Sequence, residues 1–164
     1  MLKLSKKGEY AIRTIFHLSF FNDVCITSDI AKSQQIPVPF LKKIIQTLKV
    51  GGLVNSVRGK GGGIILKVSP ALLTMKRVIE AIEGPIVINE CLACPGACKR
   101  DEICPFYSMW ADCQNKIAAI LASWNFGTVV NHYKKLIEKN KNRIIGGILY
   151  PNNVPVLNFS LVSG

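Results

Sequence analysis

Cys91, Cys94, Cys98 and Cys104 are separated by two, three and five residues, and Trp110 follows closely. Pro95, Gly96, Pro105 and the charged run from Lys99 to Glu102 lie among them. That composition favours a loop, on which several sulfurs can converge. Converging thiolates are what soft-ligand metals and iron–sulfur clusters require. Taken as four ligands of one ion, Cys91-x-x-Cys94 with Cys98 and Cys104 suits a closed tetrahedral zinc site, so zinc is the alternative cofactor. The spacing differs from the bacterial ferredoxin run, which argues against a small electron carrier. Cys25 has no cysteine neighbour and reads as a small buried side chain, and Cys113 falls inside an apolar stripe. His17 and His132 are isolated, with no nucleophile and base arranged around them, so an enzyme is not expected and His17 reads as structural.

The 164-residue chain carries 21 Lys+Arg against 10 Asp+Glu, a net charge of +11. Such an excess is the electrostatic footprint of a nucleic-acid binder, although a basic chain can also bind membranes, so the fold must decide. There is no apolar run of about 18 residues, and Met1 to Glu9 leads into an amphipathic pattern with no signal-peptide core. A cytoplasmic location without a membrane partner is therefore expected. Thiols stay reduced in that compartment, which favours metal ligands or redox sensors over structural disulfides. The length accommodates a small domain with a dimerising appendage.

The elements that must position these residues follow from periodicity. Ser5 can cap a helix with Ala11, Ile12, Ile15, Phe16 and Leu18 on its apolar side, ending near Phe20 before Asn22-Asp23. Thr27 or Ser28 is expected to cap a short second helix, and Ile36-Pro37-Val38-Pro39 makes the turn into a third. In that third helix Leu41, Ile44, Ile45 and Leu48 share one face, while Lys42, Gln46 and Lys49 share the other. Two short helices joined by a tight turn, the second basic outside, match a helix-turn-helix. Residues 53–58 and 64–68 read as strands around Gly59-Lys60-Gly61-Gly62-Gly63, a hairpin wing whose Arg58 and Lys60 suit a narrow minor groove. A phosphate-binding loop is excluded, since no Gly-Lys-Ser/Thr follows and Ile64 stands where the dinucleotide fingerprint needs glycine.

Thr74 is expected to cap a helix through Val78, Ile79 and Ile82 that Gly84-Pro85 ends. Pro105 suits the first position of a long helix, which would set Cys104 at a helix N-terminus, where the macrodipole favours thiolate. Phe106, Trp110, Cys113, Ile117, Ile120 and Trp124 recur at alternating four- and three-residue steps, a dimerisation seam. Thr128 is expected to cap a last helix through Val130, Tyr133 and Leu136. The fold class is thus mainly α with a small β-wing. Its parts are a winged helix-turn-helix over 1–85, a cysteine-rich loop over 86–104, dimerisation and C-terminal helices over 105–140, and a tail over 141–164 without an assigned role.

Residues 3–13, Ile30-Ala31, Phe40-Leu41, Ser56-Val57-Arg58-Gly59 with Gly62-Gly63, and the cysteine loop leading to Trp110 resemble, in that order, the Rrf2 family of winged-helix regulators. The resemblance covers about residues 1 to 140. It implies a homodimer that binds double-stranded DNA at a palindromic operator under the control of an iron–sulfur cluster, 4Fe–4S or 2Fe–2S. It further implies that Cys91, Cys98 and Cys104 are the cluster ligands, leaving Cys94 as a spare, an alternative ligand or a resolving thiol. The histidine that some members place three residues after the last cysteine is Tyr107 here. In others an acidic residue of the first helix, donated by the partner protomer, completes the site, and the matching residue is Glu9. An i, i+4 ion pair with Arg13, worth about 0.2 to 0.5 kcal/mol when exposed, is the other reading of Glu9. Base contacts fall by the same resemblance to Pro39, Phe40, Lys42 and Lys43, with Arg58 in the minor groove. The signal implied is nitric oxide, redox state or iron supply. A zinc-stabilised or thiol-switch regulator remains the alternative.

Overall fold

The computed structural model describes residues 4–59, 61–94, 96, 98–100 and 103–139. Lys60 at the wing tip and the tail over 141–164 lie outside the described residues. The elements run α1 (Lys6–Phe21), α2 (Thr27–Ser33), α3 (Val38–Val50), β1 (Val54–Val57), β2 (Gly63–Leu66), α4 (Met75–Glu83), a 3-10 turn (Glu90–Leu92), α5 (Tyr107–Ser123) and α6 (Phe126–Lys139).

Ser5 starts α1 by accepting the Gly8 amide at 3.1 Å, and Asn22 ends it in the left-handed region, a conformation asparagine tolerates. The helix lies at the centre of the fold, packed by α3, α4, α6 and β2. Ten of its 16 residues are buried, so it is enclosed nearly all round instead of showing one dry stripe. Ala11, Ile15, Phe16 and Leu18 are fully buried and meet Leu41, Leu48, Leu73, Val78 and Phe126 in one core.

Enclosure forces the polar residues of α1 to find partners. The Thr14 hydroxyl donates to the Tyr10 carbonyl at 2.7 Å, and Arg13 Nη1 donates to the Gln34 carbonyl at 3.2 Å. His17 Nδ1 lies 2.9 Å from the Ser33 hydroxyl, and its ring packs on Phe21. Burial pushes the His17 pKa from 6.5 down to about 4 against a weaker opposing pull from Asp29. Below about pH 6.5 the unfolded chain therefore takes up a proton that the folded chain refuses, and stability falls until about pH 4. The loss amounts to about 3 kcal/mol. Denaturant unfolding followed from pH 7 to pH 4 should show this decline in the native chain and a flatter profile in His17→Gln. An equally steep profile in the variant would assign the decline to other groups.

The strands pair antiparallel in the register Val54↔Leu66 to Val57↔Gly63. Cys25 adds a third short strand position by exchanging both backbone bonds with Ile64 at 2.9 Å. A Cβ at Gly63 would come within 2.4 Å of the Cys25 carbonyl oxygen, so this crossing requires glycine.

Three helix starts differ from the sequence expectation. Pairing of Cys25 with Ile64 holds the backbone extended up to Ile26, so Ile26 occupies the cap of α2 and Thr27 is its first helical residue; neither Thr27 nor Ser28 caps it. The Tyr107 amide closes a turn onto the Cys104 carbonyl at 3.2 Å, which delays α5 to Tyr107 with Phe106 as its cap. Pro105 is therefore not the first helical position, and Cys104 lies two residues ahead of the Phe106 cap. At α6 the cap is Asn125, whose side-chain oxygen accepts the Thr128 amide at 2.9 Å and the Thr128 hydroxyl at 3.1 Å. Thr128 is thus a first-turn residue that donates. By contrast, Thr74 caps α4 as its sequence suggests, accepting the Arg77 amide at 3.2 Å.

Candidate nucleic-acid interface and cysteine loop

Leu41, Ile44, Ile45 and Leu48 of α3 are buried, which turns Lys42, Lys43, Gln46 and Lys49 outward as exposed side chains. Pro37 caps the helix without a side-chain bond; its carbonyl receives the Phe40 amide at 2.9 Å and the Leu41 amide at 3.0 Å. Val38, Pro39 and Phe40 are all exposed on the first turn. Arg58 follows β1, exposed, at the entrance to the glycine tip where Gly59 and Gly61 have positive φ. Of the DNA-facing residues expected from the sequence, Pro39, Phe40, Lys42, Lys43 and Arg58 are therefore all solvent-facing. Lys60 falls outside the described residues.

The α2–α3 turn is fixed from behind. Gln34 is fully buried at the end of α2, and its carbonyl is bound by Arg13. Arg13 Nη2 also donates to Glu9 Oε1 at 2.6 Å, while Lys6 Nζ binds Glu9 Oε2 at 2.8 Å. Burial alone would raise the Glu9 pKa; the Lys6 hydrogen bond and the charges of Arg13 and Lys6 outweigh it and hold the carboxyl below its ordinary value. Glu9 thus makes the ion pair with Arg13 that its spacing suggested. Arg13, itself 5% exposed, is the functional candidate that sequence periodicity did not single out. Its signal was only the i, i+4 spacing from Glu9.

The cysteine loop is tied to α5 by the Ile88 amide donating to Gln114 Oε1 at 3.1 Å, and the 3-10 turn carrying Cys91 packs on α5. All six cysteines are free thiols; Cys91, Cys98, Cys104 and Cys113 are half-buried and Cys94 is exposed. Among the described residues no three histidine, cysteine or acidic side chains come together as a metal site. The chemistry of the donor set nevertheless fits a soft metal centre, since four unpaired, accessible thiols share one short loop. Cys25 is different. It is buried, and burial with the charges of Asp23 and Asp29 pushes its thiol up to about 11, so it stays protonated.

On α5, Trp110, Cys113 and Ile117 are half-buried, whereas Ile120 is 60% exposed. Trp124 adopts an extended conformation and ends the helix, and Phe106 precedes it, so the apolar stripe extends one residue beyond α5 at each end. No helix among the described residues is long and apolar enough to cross a membrane.

A helix-turn-helix with an exposed basic second helix and a glycine-tipped hairpin beside it defines a winged-helix DNA-binding protein. The family model described as Rrf2, iron-dependent transcriptional regulator, matches residues 4–132. The chain belongs to the Rrf2 family of transcriptional regulators, which are not enzymes. It is 26% identical over 137 residues to the HTH-type transcriptional regulator IscR of Escherichia coli O1:K1 / APEC, covering 82% of this chain and 84% of that protein. Its structure is similar to that of CymR (YrzC), the global cysteine regulator of B. subtilis, with a TM-score of 0.66 and 26% identity over 80% of this chain and 98% of CymR. T. potens IscR aligns with a TM-score of 0.63 and 26% identity, covering 89% of this chain and 94% of that one.

Proposed function

We propose that this regulator acts as a homodimeric repressor whose grip on a palindromic operator is set by an iron–sulfur cluster, held by Cys91, Cys98 and Cys104 with Glu9 donated across the dimer. The observation that carries this reading is the set of free thiols on a loop tethered to α5, in a chain whose other end presents a basic winged helix. A bound cluster supplies iron that reacts with nitric oxide or oxidants. α5 is the dimerisation element, through Trp110, Cys113, Ile117, Ile120 and Trp124, and the protein works in the cytoplasm.

Glu9 suits the link between sensor and reader because both its oxygens already hold α1 groups. A metal that took Oε1 of that carboxylate would compete with Arg13 for it, and Arg13 is the residue that also binds the Gln34 carbonyl just before the α2–α3 turn. A change at Glu9 thus reaches the reading helix through one guanidinium. An oxygen ligand would also be weaker than thiolate toward iron and more easily displaced by a small molecule. Glu9→Ala should make the cluster labile and uncouple DNA binding from it, while Glu9→Asp keeps part of the coupling. Cys94 is the rival fourth ligand. If only Cys94→Ala alters the absorption spectrum and cluster lifetime of protein prepared without air, the carboxylate assignment is wrong.

Purification without air, followed by iron, sulfide and zinc analysis, tests the cofactor directly: zinc without sulfide would favour the zinc-stabilised alternative. DNA affinity should fall steeply with salt, with a slope of about −0.9 per phosphate neutralised. Arg58→Ala should weaken binding and make the slope shallower by about one for each phosphate that the arginine neutralises. Salt-insensitive binding, or a stable monomer at micromolar concentration, would contradict the dimeric reader.

A further inference from the structure

We propose that the first turn of α3 reads the C5-methyl groups of thymine in the major groove, with Phe40 as the reading side chain. The inference rests on α3 being the recognition helix and goes further by assigning what that helix recognises. Val38 is 42% exposed and Phe40 59% exposed, with Pro39 exposed between them. The apolar residues that the fold itself needs from this helix, Leu41, Ile44, Ile45 and Leu48, are at most 7% exposed. The apolar first turn is thus surplus to the core and points where the motif places DNA bases.

The first turn itself offers little for the other ways of meeting DNA. A helix N-terminus ordinarily greets phosphate with free backbone amides. Here Pro39 has no N–H, and the Phe40 and Leu41 amides are both taken by the Pro37 carbonyl. α3 contains no acidic residue to accept from the cytosine amino group. The first turn also has no side-chain amide to bond adenine. The thymine methyl is the apolar feature that the major-groove edges of the bases offer, and an aromatic ring is among the side chains that contact it. The adjacent exposed Lys42 and Lys43 favour DNA over an apolar protein partner for this surface, because they set cations beside it that a polyanion attracts.

The test uses the full-length protein prepared without air and duplexes that it enriches from a random pool. Each thymine of an enriched duplex is replaced in turn by deoxyuridine, which removes only the methyl group. At one or more positions in each half-site the native protein should lose about fourfold in affinity, the effect of one buried methyl. Phe40→Ala should bind more weakly and lose that discrimination, while Phe40→Leu keeps part of it. An unchanged melting profile, expected of a 59% exposed side chain, shows that the variants fold. Uridine tolerated at every position, or discrimination retained by Phe40→Ala, overturns the methyl reading and leaves DNA binding intact. A pool from which nothing is enriched overturns both.

Discussion

Cys98→Ala is expected to yield protein without bound iron or sulfide when prepared in the absence of air, and Cys91→Ala and Cys104→Ala should behave alike. A cluster bridged to three thiolates of one short loop does not survive the loss of one of them unless another donor replaces it. Cys94 is the nearest spare thiol in sequence, and it is exposed. Full iron and sulfide in Cys98→Ala would therefore sink the assignment, and their loss on further removing Cys94 would name the true donor. Cys25→Ala and Cys113→Ala should retain the cluster. Cys25 is buried and held against the wing by its pairing with Ile64, and Cys113 lies on α5 outside the loop.

The largest effect on stability is expected at Phe16. Its side chain is fully buried in α1, with the Tyr133 ring edge-on at 5.4 Å and the Phe20 ring at 6.4 Å. Phe16→Ala should cost about 3 to 5 kcal/mol, from lost transfer energy and from the cavity left behind. That is a large share of the 5–15 kcal/mol, roughly, by which a domain is stable. Equilibrium denaturation of the two proteins under identical conditions measures it. A cost below about 1 kcal/mol would mean that α6 closes over the gap.

Local signals made much of the fold legible. The i, i+3, i+4, i+7 pattern of Leu41 to Leu48 placed the buried face of α3, and Ser5 and Thr74 marked two helix starts because their hydroxyls satisfy amides three residues on. Where tertiary contacts override local preference, sequence reading failed. Thr27 and Ser28 are good caps, yet the strand pairing of Cys25 moved the cap to Ile26. Asn125 outcompeted Thr128 because the chain turns sharply there to return to α1, a turn dictated by bonds to residues 70–75. The enclosure of Arg13 and His17 was not legible from α1, since it depends on helices far along the chain. The exposure of Pro39, Phe40, Lys42, Lys43 and Arg58 was readable as the polar or surplus side of a local pattern. The cysteine site was readable only as donor type and spacing, because loop composition does not dictate how sulfurs converge.

The return of the chain after α5 bears on how this protein can be divided. Met75 donates to the Trp124 carbonyl at 2.8 Å, and Phe126 and Gly127 donate back to Leu73 and Pro70 at 2.9 Å. Phe126 and Val130 then enter the same core as α1. The winged-helix body is consequently discontinuous in sequence, with the cysteine loop and α5 inserted into it as an excursion fastened at both ends. A fragment cut at residue 85 lacks α6 and with it Phe126, Val130 and the Tyr133 ring that packs on Phe16. α5 also packs on α4, so the excursion lies against the winged-helix body between its two fastened ends and is not a dangling arm.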